Sequence, residues 1–275
     1  MSDRGIQVVR EHLAKLPPSN TLTIEQRRSQ YERAERVFPT PADVTIDRLM
    51  APTCPAERLR PPGVRTDAAV LYLHGGGYVI GSPRSHRHLA AAIARAAGVQ
   101  ALLLDYRLAP EHPFPAALDD ALAAYEWLQT QGVPPNRIVV AGDSAGGVCI
   151  SPWVDLTCSG ASYATCASAD PIVTRDGVEK MAQAYVPGGD LKAPLVSPLF
   201  ADLHDLPPLL IQVGSDEVLL DDSLGLGRRA LAAGVSVKVE EWPAMVHVWH
   251  WFLSMLDEAE RAVSGIGDFV RARIA

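Results

Sequence analysis

Hydrophobic positions along the chain follow two alternating periods. Ile6, Val9, Leu13 and Leu16 recur at helical spacing until Pro17-Pro18 stop them. A second helix opens at Thr23, with Gln26 three residues on as in a capping box, and carries Ile24, Tyr31, Ala34 and Phe38 on one face before Pro39 and Pro41. From Val44 the pattern becomes that of strands. Residues 68–74 and 101–105 read as buried strands, with an alanine-rich helix over 85–97 between them. A helix over about 116–129, the β-branched run Ile138-Val139-Val140, a strand over 209–213, a helix around 222–233 and an alternating run over 235–239 complete the series. Apolar strands alternating with helices predict a mostly parallel sheet covered by helices on both faces. The pattern divides the chain into an N-terminal helical cap segment over 1–42 and an α/β catalytic domain over 43–275, with a second cap segment at roughly 160–195.

In such sheets reactive groups gather where strands end at their carboxyl edge. The run Gly142-Asp143-Ser144-Ala145-Gly146-Gly147 stands at such an edge, directly after a strand. A serine with glycine two positions away on each side fits a turn so sharp that only tiny neighbours are tolerated, and the turn holds the hydroxyl out toward a carbonyl. A serine needs a base to take its proton and a carboxylate to orient that base. The strand over 209–213 runs into Asp216, Glu217, Asp221 and Asp222, and the run over 235–239 leads to His247 and His250. The order serine, acid, histidine is that of α/β-hydrolases. Tetrahedral intermediates also need N–H donors, and His74-Gly75-Gly76-Gly77 after a buried strand can bring bare backbone to a ligand, with the N–H of Ala145 completing the hole.

Composition narrows the partners. A net charge of −7 argues against nucleic acid. Although 48% of the 275 residues are hydrophobic, no run approaches the ~20 residues that cross a bilayer, so no stable membrane insertion is expected. Met1-Ser2-Asp3-Arg4-Gly5 leads into a charged amphipathic segment and not a secretory signal, which points to the cytoplasm. Cys54, Cys149, Cys158 and Cys166 form no C-x-x-C pair and read as free thiols. His86 and His88, two apart on a helix, do not share a face, so no metal site is expected there. The alternation of Val235, Val237 and Val239 with polar residues on an edge strand suggests a possible homodimer.

Five motifs in order resemble the hormone-sensitive-lipase-like bacterial carboxylesterases. They are His74-Gly-Gly-Gly-Tyr78, the run from Asp105 through Pro113-Phe114-Pro115 to Ala117, Gly142 to Gly147, Ser151-Pro-Trp-Val-Asp155, and Leu206-Pro-Pro through Glu217. The resemblance implies an α/β-hydrolase fold with a small helical cap, and hydrolysis of short-chain acyl esters through an acyl-enzyme with no cofactor. Carried over residue by residue, it makes Ser144 the nucleophile, His247 the base in preference to His250, and Gly76, Gly77 and Ala145 the oxyanion donors. An ungapped match from Leu206 puts the family's catalytic acid on Glu217, one residue past Asp216; Asp221 and Asp222 then read as helix N-terminal carboxylates. Glu111 lies in a proline-rich turn that is structural in the family. An inactive ligand-binding protein on this scaffold, or an amidase on the same triad, is the alternative reading.

The chain departs from the family after Gly147. Relatives continue with a long helix and then a strand ending at Ser-Pro-Trp, whereas only Val148, Cys149 and Ile150 precede Ser151 here. A parallel crossover takes about a dozen residues, so the helix and the strand after the elbow are both expected to be missing. Further chain after Gly147, a rearrangement of the remaining pieces or a partner subunit is then required to fill the core.

Overall fold

A computed structural model describes residues 2–17, 21–143 and 148–274. Helices α1 (Ser2–Leu13), α2 (Ile24–Glu32) and α3 (Ala34–Val37) lead into a hairpin of β1 (Thr45–Met50) and β2 (Pro55–Arg60). Then follow β3 (Arg65–Leu73), α4 (Pro83–Ala97), β4 (Val99–Leu104), α5 (Ala116–Thr130), β5 (Ile138–Asp143) and β6 (Val148–Ile150). The last part holds α6 (Ser162–Thr165), α7 (Arg175–Tyr185), β7 (Leu209–Gly214), α8 (Leu220–Ala232), β8 (Val237–Trp242) and α9 (Asp257–Ile274). The Thr23 hydroxyl accepts from the Gln26 N–H while the Gln26 side chain accepts from the Thr23 N–H, the capping box its spacing predicts.

Among the described residues the sheet has eight strands in the order β1-β2-β4-β3-β5-β6-β7-β8. The pairs β1-β2 and β2-β4 are antiparallel and the remaining five are parallel. Alternate residues of each strand serve two cores, as a period of two requires. Val70, Tyr72, Leu103, Ala141, Val148, Ile150 and Leu210 pack with α4 and α9. Leu71, Leu102 and Leu104 pack with α5 and α7, while Cys149 and Ile211 pack with Leu226 and Ala230 of α8. Strand β8 starts two residues later than its valine alternation predicts, because the Val235 N–H donates to the Ala230 carbonyl at the end of α8 (3.0 Å) and not to a neighbouring strand.

The expected loss of both helix and strand after Gly147 is half corrected. The strand is present: Val148, Cys149 and Ile150 pair in parallel with residues 141–143 of β5 and 210–212 of β7, so the sheet has no gap there. Three apolar residues suffice because both neighbouring strands offer ladder partners, and all three side chains are buried. The helix has no room, since only four residues separate β5 from β6. On the face shared with α5, Val140 is only half-buried although it lies on a central strand.

The four cysteines are buried and make no disulfide among the described residues. Burial pushes the thiols of Cys54 and Cys149 up to about 12, which leaves them inert at neutral pH. No helix among the described residues is long and apolar enough to cross a membrane, and no cluster of His, Cys, Asp and Glu there could hold a metal ion.

Candidate active site

Glu217 and His247 meet beyond the carboxyl ends of β7 and β8. Glu217 Oε2 lies 3.0 Å from His247 Nδ1. The other oxygen, Oε1, accepts from the Gly214 N–H at 2.6 Å and from the Ser151 hydroxyl at 2.8 Å. Ser151 Oγ in turn accepts from the Val248 N–H at 3.1 Å, so one serine ties the carboxylate to the backbone just after the histidine. Two non-glycine residues here adopt left-handed backbone, Ser151 (φ 49) and the β-branched Val248 (φ 49), where the conformation costs most.

Burial disfavours the charged imidazole of His247, but the hydrogen bond and charge of Glu217 outweigh it and raise its pKa above the ordinary value. Burial also raises Glu217, against the opposing bond to His247. The bond fixes the proton on Nδ1 and leaves Nε2 to act as a base.

The other acids are occupied elsewhere. Asp216 pairs with Arg10 of α1, which also donates to the Ala169 carbonyl. Asp221 accepts from the Ser162 N–H, and Asp222 accepts from the N–H groups of Val154 and Asp155. His250 is buried with Nε2 against Gln212 Oε1 at 2.8 Å, and burial depresses it to about 3. The structure thus brings Glu217 and His247 together and keeps Asp216 and His250 out.

The glycine run after β3 lies against the strand that leads to Ser144. A Cβ on Gly75 would stand 2.1 Å from Asp143 Oδ2, and one on Gly76 (φ +122) would stand 2.2 Å from the Ile80 carbonyl oxygen, so neither position admits a side chain. Asp143 is clamped from behind by the Tyr72 hydroxyl at 2.7 Å and by His86 Nε2 at 2.9 Å. Burial works against its charge, yet His86 and Tyr72 hold its carboxyl down to about 2. His86 therefore belongs to a buried hydrogen-bond network, with Nε2 on Asp143 and Nδ1 beside the Ser85 hydroxyl. Ser144 and Ala145 lie outside the described residues.

Gly76, Gly77 and His247 line a small cleft of about 50 Å³. Trp153, Val178, Met181 and Leu219 make much of its wall, and Arg27 and Tyr31 of α2 bound it on one side. Asp170 holds the approach to α7 in place by accepting from the N–H groups of Ile172, Val173 and Val218. The sequence marks Ser151 only as the first residue of the Ser-Pro-Trp motif, with no role assigned to it, and does not single out Asp170 at all.

The family described as the α/β-hydrolase fold matches residues 70–149 and 148–251. An acetyl-hydrolase of Streptomyces hygroscopicus is 44% identical over an alignment of 293 residues, which takes in 98% of this chain and 97% of that one. Since this chain has 275 residues, at least 18 positions of that alignment have no residue here. The family match divides at Val148–Cys149, close to the point where the chain is expected to depart from the family. A carboxylesterase/phospholipase of Mycobacterium tuberculosis is 36% identical over 80% of this chain and 67% of its own length. Among solved structures, an esterase from the bacterial hormone-sensitive lipase family superposes with a TM-score of 0.93 at 45% identity, over 99% of this chain and 98% of that one. A hormone-sensitive lipase from a metagenome library gives 0.92 at 38% identity, over 98% and 97%. With this sheet order, this acid–histidine pair and these relatives, the chain belongs to the α/β-hydrolase fold family, among its hormone-sensitive-lipase-like bacterial esterases.

Proposed function

We propose that this carboxylic ester hydrolase cleaves short-chain acyl esters through a serine-bound acyl-enzyme. Ser144 Oγ attacks the ester carbonyl as His247 Nε2 takes its proton. Glu217 stabilises the resulting imidazolium, and the N–H groups of Gly76, Gly77 and Ala145 receive the oxyanion. The tetrahedral intermediate collapses by breaking the bond to the alcohol oxygen, which leaves with the proton from His247. Water then attacks the acyl carbon, gives its proton to His247, and releases the acid as that proton returns to Ser144.

The observation that carries this reading is the Glu217–His247 bond at the wall of a cleft that the glycine loop also lines. Trp153, Met181 and Leu219 bound a space suited to a short acyl group. In this reading α1 to α3 and α6 to α7 form the cap. Hydrolysis of p-nitrophenyl butanoate by the wild type, falling at least a thousandfold in Ser144→Ala, is the expected result. Equal rates in the two proteins would refute the reading, and faster turnover of the hexadecanoate ester would refute the chain-length preference.

A further inference from the structure

Two adjacent arginines on α2 have opposite surroundings. Arg28 is fully engaged: it donates to the carbonyls of Val79 (2.8 Å) and Ala109 (2.9 Å) and to both oxygens of Glu111 (2.7 and 2.8 Å). Arg27 is half-buried and lines the cleft beside His247, Gly76 and Gly77, and its guanidinium has no carboxylate or carbonyl partner among the described residues. The carboxylates nearest to it in sequence are Glu25, exposed, and Glu32, which turns to Ser82 and Arg84. The rest of the wall is apolar, aromatic or uncharged apart from His247.

A guanidinium offers five donors in a planar fork, and one in the lining of such a wall that makes no ion pair with a carboxylate of the described residues can take a carboxylate through two parallel hydrogen bonds. We infer that Arg27 is a specificity-determining residue and that the preferred substrates are anionic esters, carrying a carboxylate on the acyl or the alcohol part a few Å from the scissile bond. Burial lowers the pKa of Arg27 from its ordinary value, and an anion brought beside it would oppose that. An arginine is deprotonated in no ordinary protein setting, so its charge is available throughout the working pH range. The chain as a whole is negative at −7 and repels anions at long range. An anion preference must therefore arise locally.

This inference rests on the esterase reading above, and the test separates the two. In one arm, kcat/KM is measured for p-nitrophenyl hemiadipate and the neutral p-nitrophenyl hexanoate. In the other it is measured for 4-acetoxybenzoate and 4-acetoxybenzamide. The readout is the anionic-to-neutral ratio in Arg27→Met and in Arg27→Gln compared with that in wild type. Arg27 makes no side-chain hydrogen bond, so both variants are expected to keep the wild-type melting temperature. A fall in the ratio of at least fivefold in one arm, shared by both variants and weakened by salt, is expected, and the arm that responds says which part of the substrate carries the charge. A smaller change in both arms overturns the inference even if all neutral esters are cleaved. If wild type cleaves no ester, the esterase reading fails, and the inference is decided by calorimetric titration with adipate and 4-hydroxybenzoate. At least fivefold tighter binding of one of them to wild type than to the variants supports it, and equal binding of both refutes it.

Discussion

Glu217 is fastened by three groups at once, the Gly214 N–H, the Ser151 hydroxyl and His247. A carboxylate held this way stays aimed at the imidazole and does not rotate toward solvent, which is what an imidazolium partner requires, and the bond to His247 opposes the rise in its pKa that burial causes. The sign of its effect on pH dependence follows. Catalysis in the proposed mechanism needs neutral His247, so activity falls as pH drops through the His247 pKa. Glu217 raises that pKa, which places the acidic limb of the wild-type profile above the ordinary imidazole value of about 6.5. Glu217→Gln removes the charge but keeps the burial. The acidic limb is then expected to move to lower pH while kcat falls by about 10²- to 10⁴-fold. A pH–rate profile in which the limb stays or rises would contradict this. Chain order and strand ends made the identity of the four candidate acids legible, but not the direction each side chain takes. Asp216 and Glu217 are neighbours whose side chains diverge, one toward Arg10 and one toward His247. That divergence is set by a helix more than two hundred residues away in sequence.

Among the elements, α2 is the clearest case of local sequence deciding structure, because its cap is formed by Thr23 and Gln26 from within the segment. Where α2 rests is decided by Arg28, which reaches the carbonyls of Val79 and Ala109 in the loops after β3 and β4. The ion pair with Glu111, more than half exposed on the acid side, adds little to stability. The two bonds to carbonyls contribute on the order of 1 kcal/mol each. Arg28→Met is therefore expected to lower the melting temperature by about 2–8 °C. It should also speed amide exchange in α2 well before that of β3 and β5, as local unfolding of a weakly held element would. Uniform exchange across the chain would show that α2 is held by something else. Glu111 is structural, as the family resemblance implies, yet its partner was invisible from sequence because it lies on another element. The strand ends show the same limit: period alone put β8 at residues 235–239, while the bond from the Val235 N–H to the Ala230 carbonyl of α8 moves the ladder to Val237–Trp242.

At the scale of the whole molecule, the passage from β5 to β6 is four residues long, shorter than any parallel crossover that carries a helix. Sheet continuity survives it, since β6 pairs on both sides. A crossover helix between β5 and β6 has no room: α5 packs over β3 and β4 and α8 over β7, and Val139 and Val140 of the central strand are half-buried on opposite faces. The deficit could be read in the sequence because crossover length is a geometric constraint. The survival of the strand could not, because it depends on partners supplied by β5 and β7. Adding cover has a calculable effect. A helix that removes even ~100 Å² of apolar surface from water contributes about 2.5 kcal/mol, which for a chain of this size is about 5–10 °C in melting temperature. Inserting the corresponding amphipathic helical segment of a relative between Gly147 and Val148 is expected to raise the melting temperature by that amount. A glycine-serine insert of equal length lengthens the loop without burying anything, so it should leave the temperature unchanged or lower it. Equal melting temperatures for both inserts, measured by calorimetry at one protein concentration, would mean that the face over β5 and β6 is already closed by the chain as it stands.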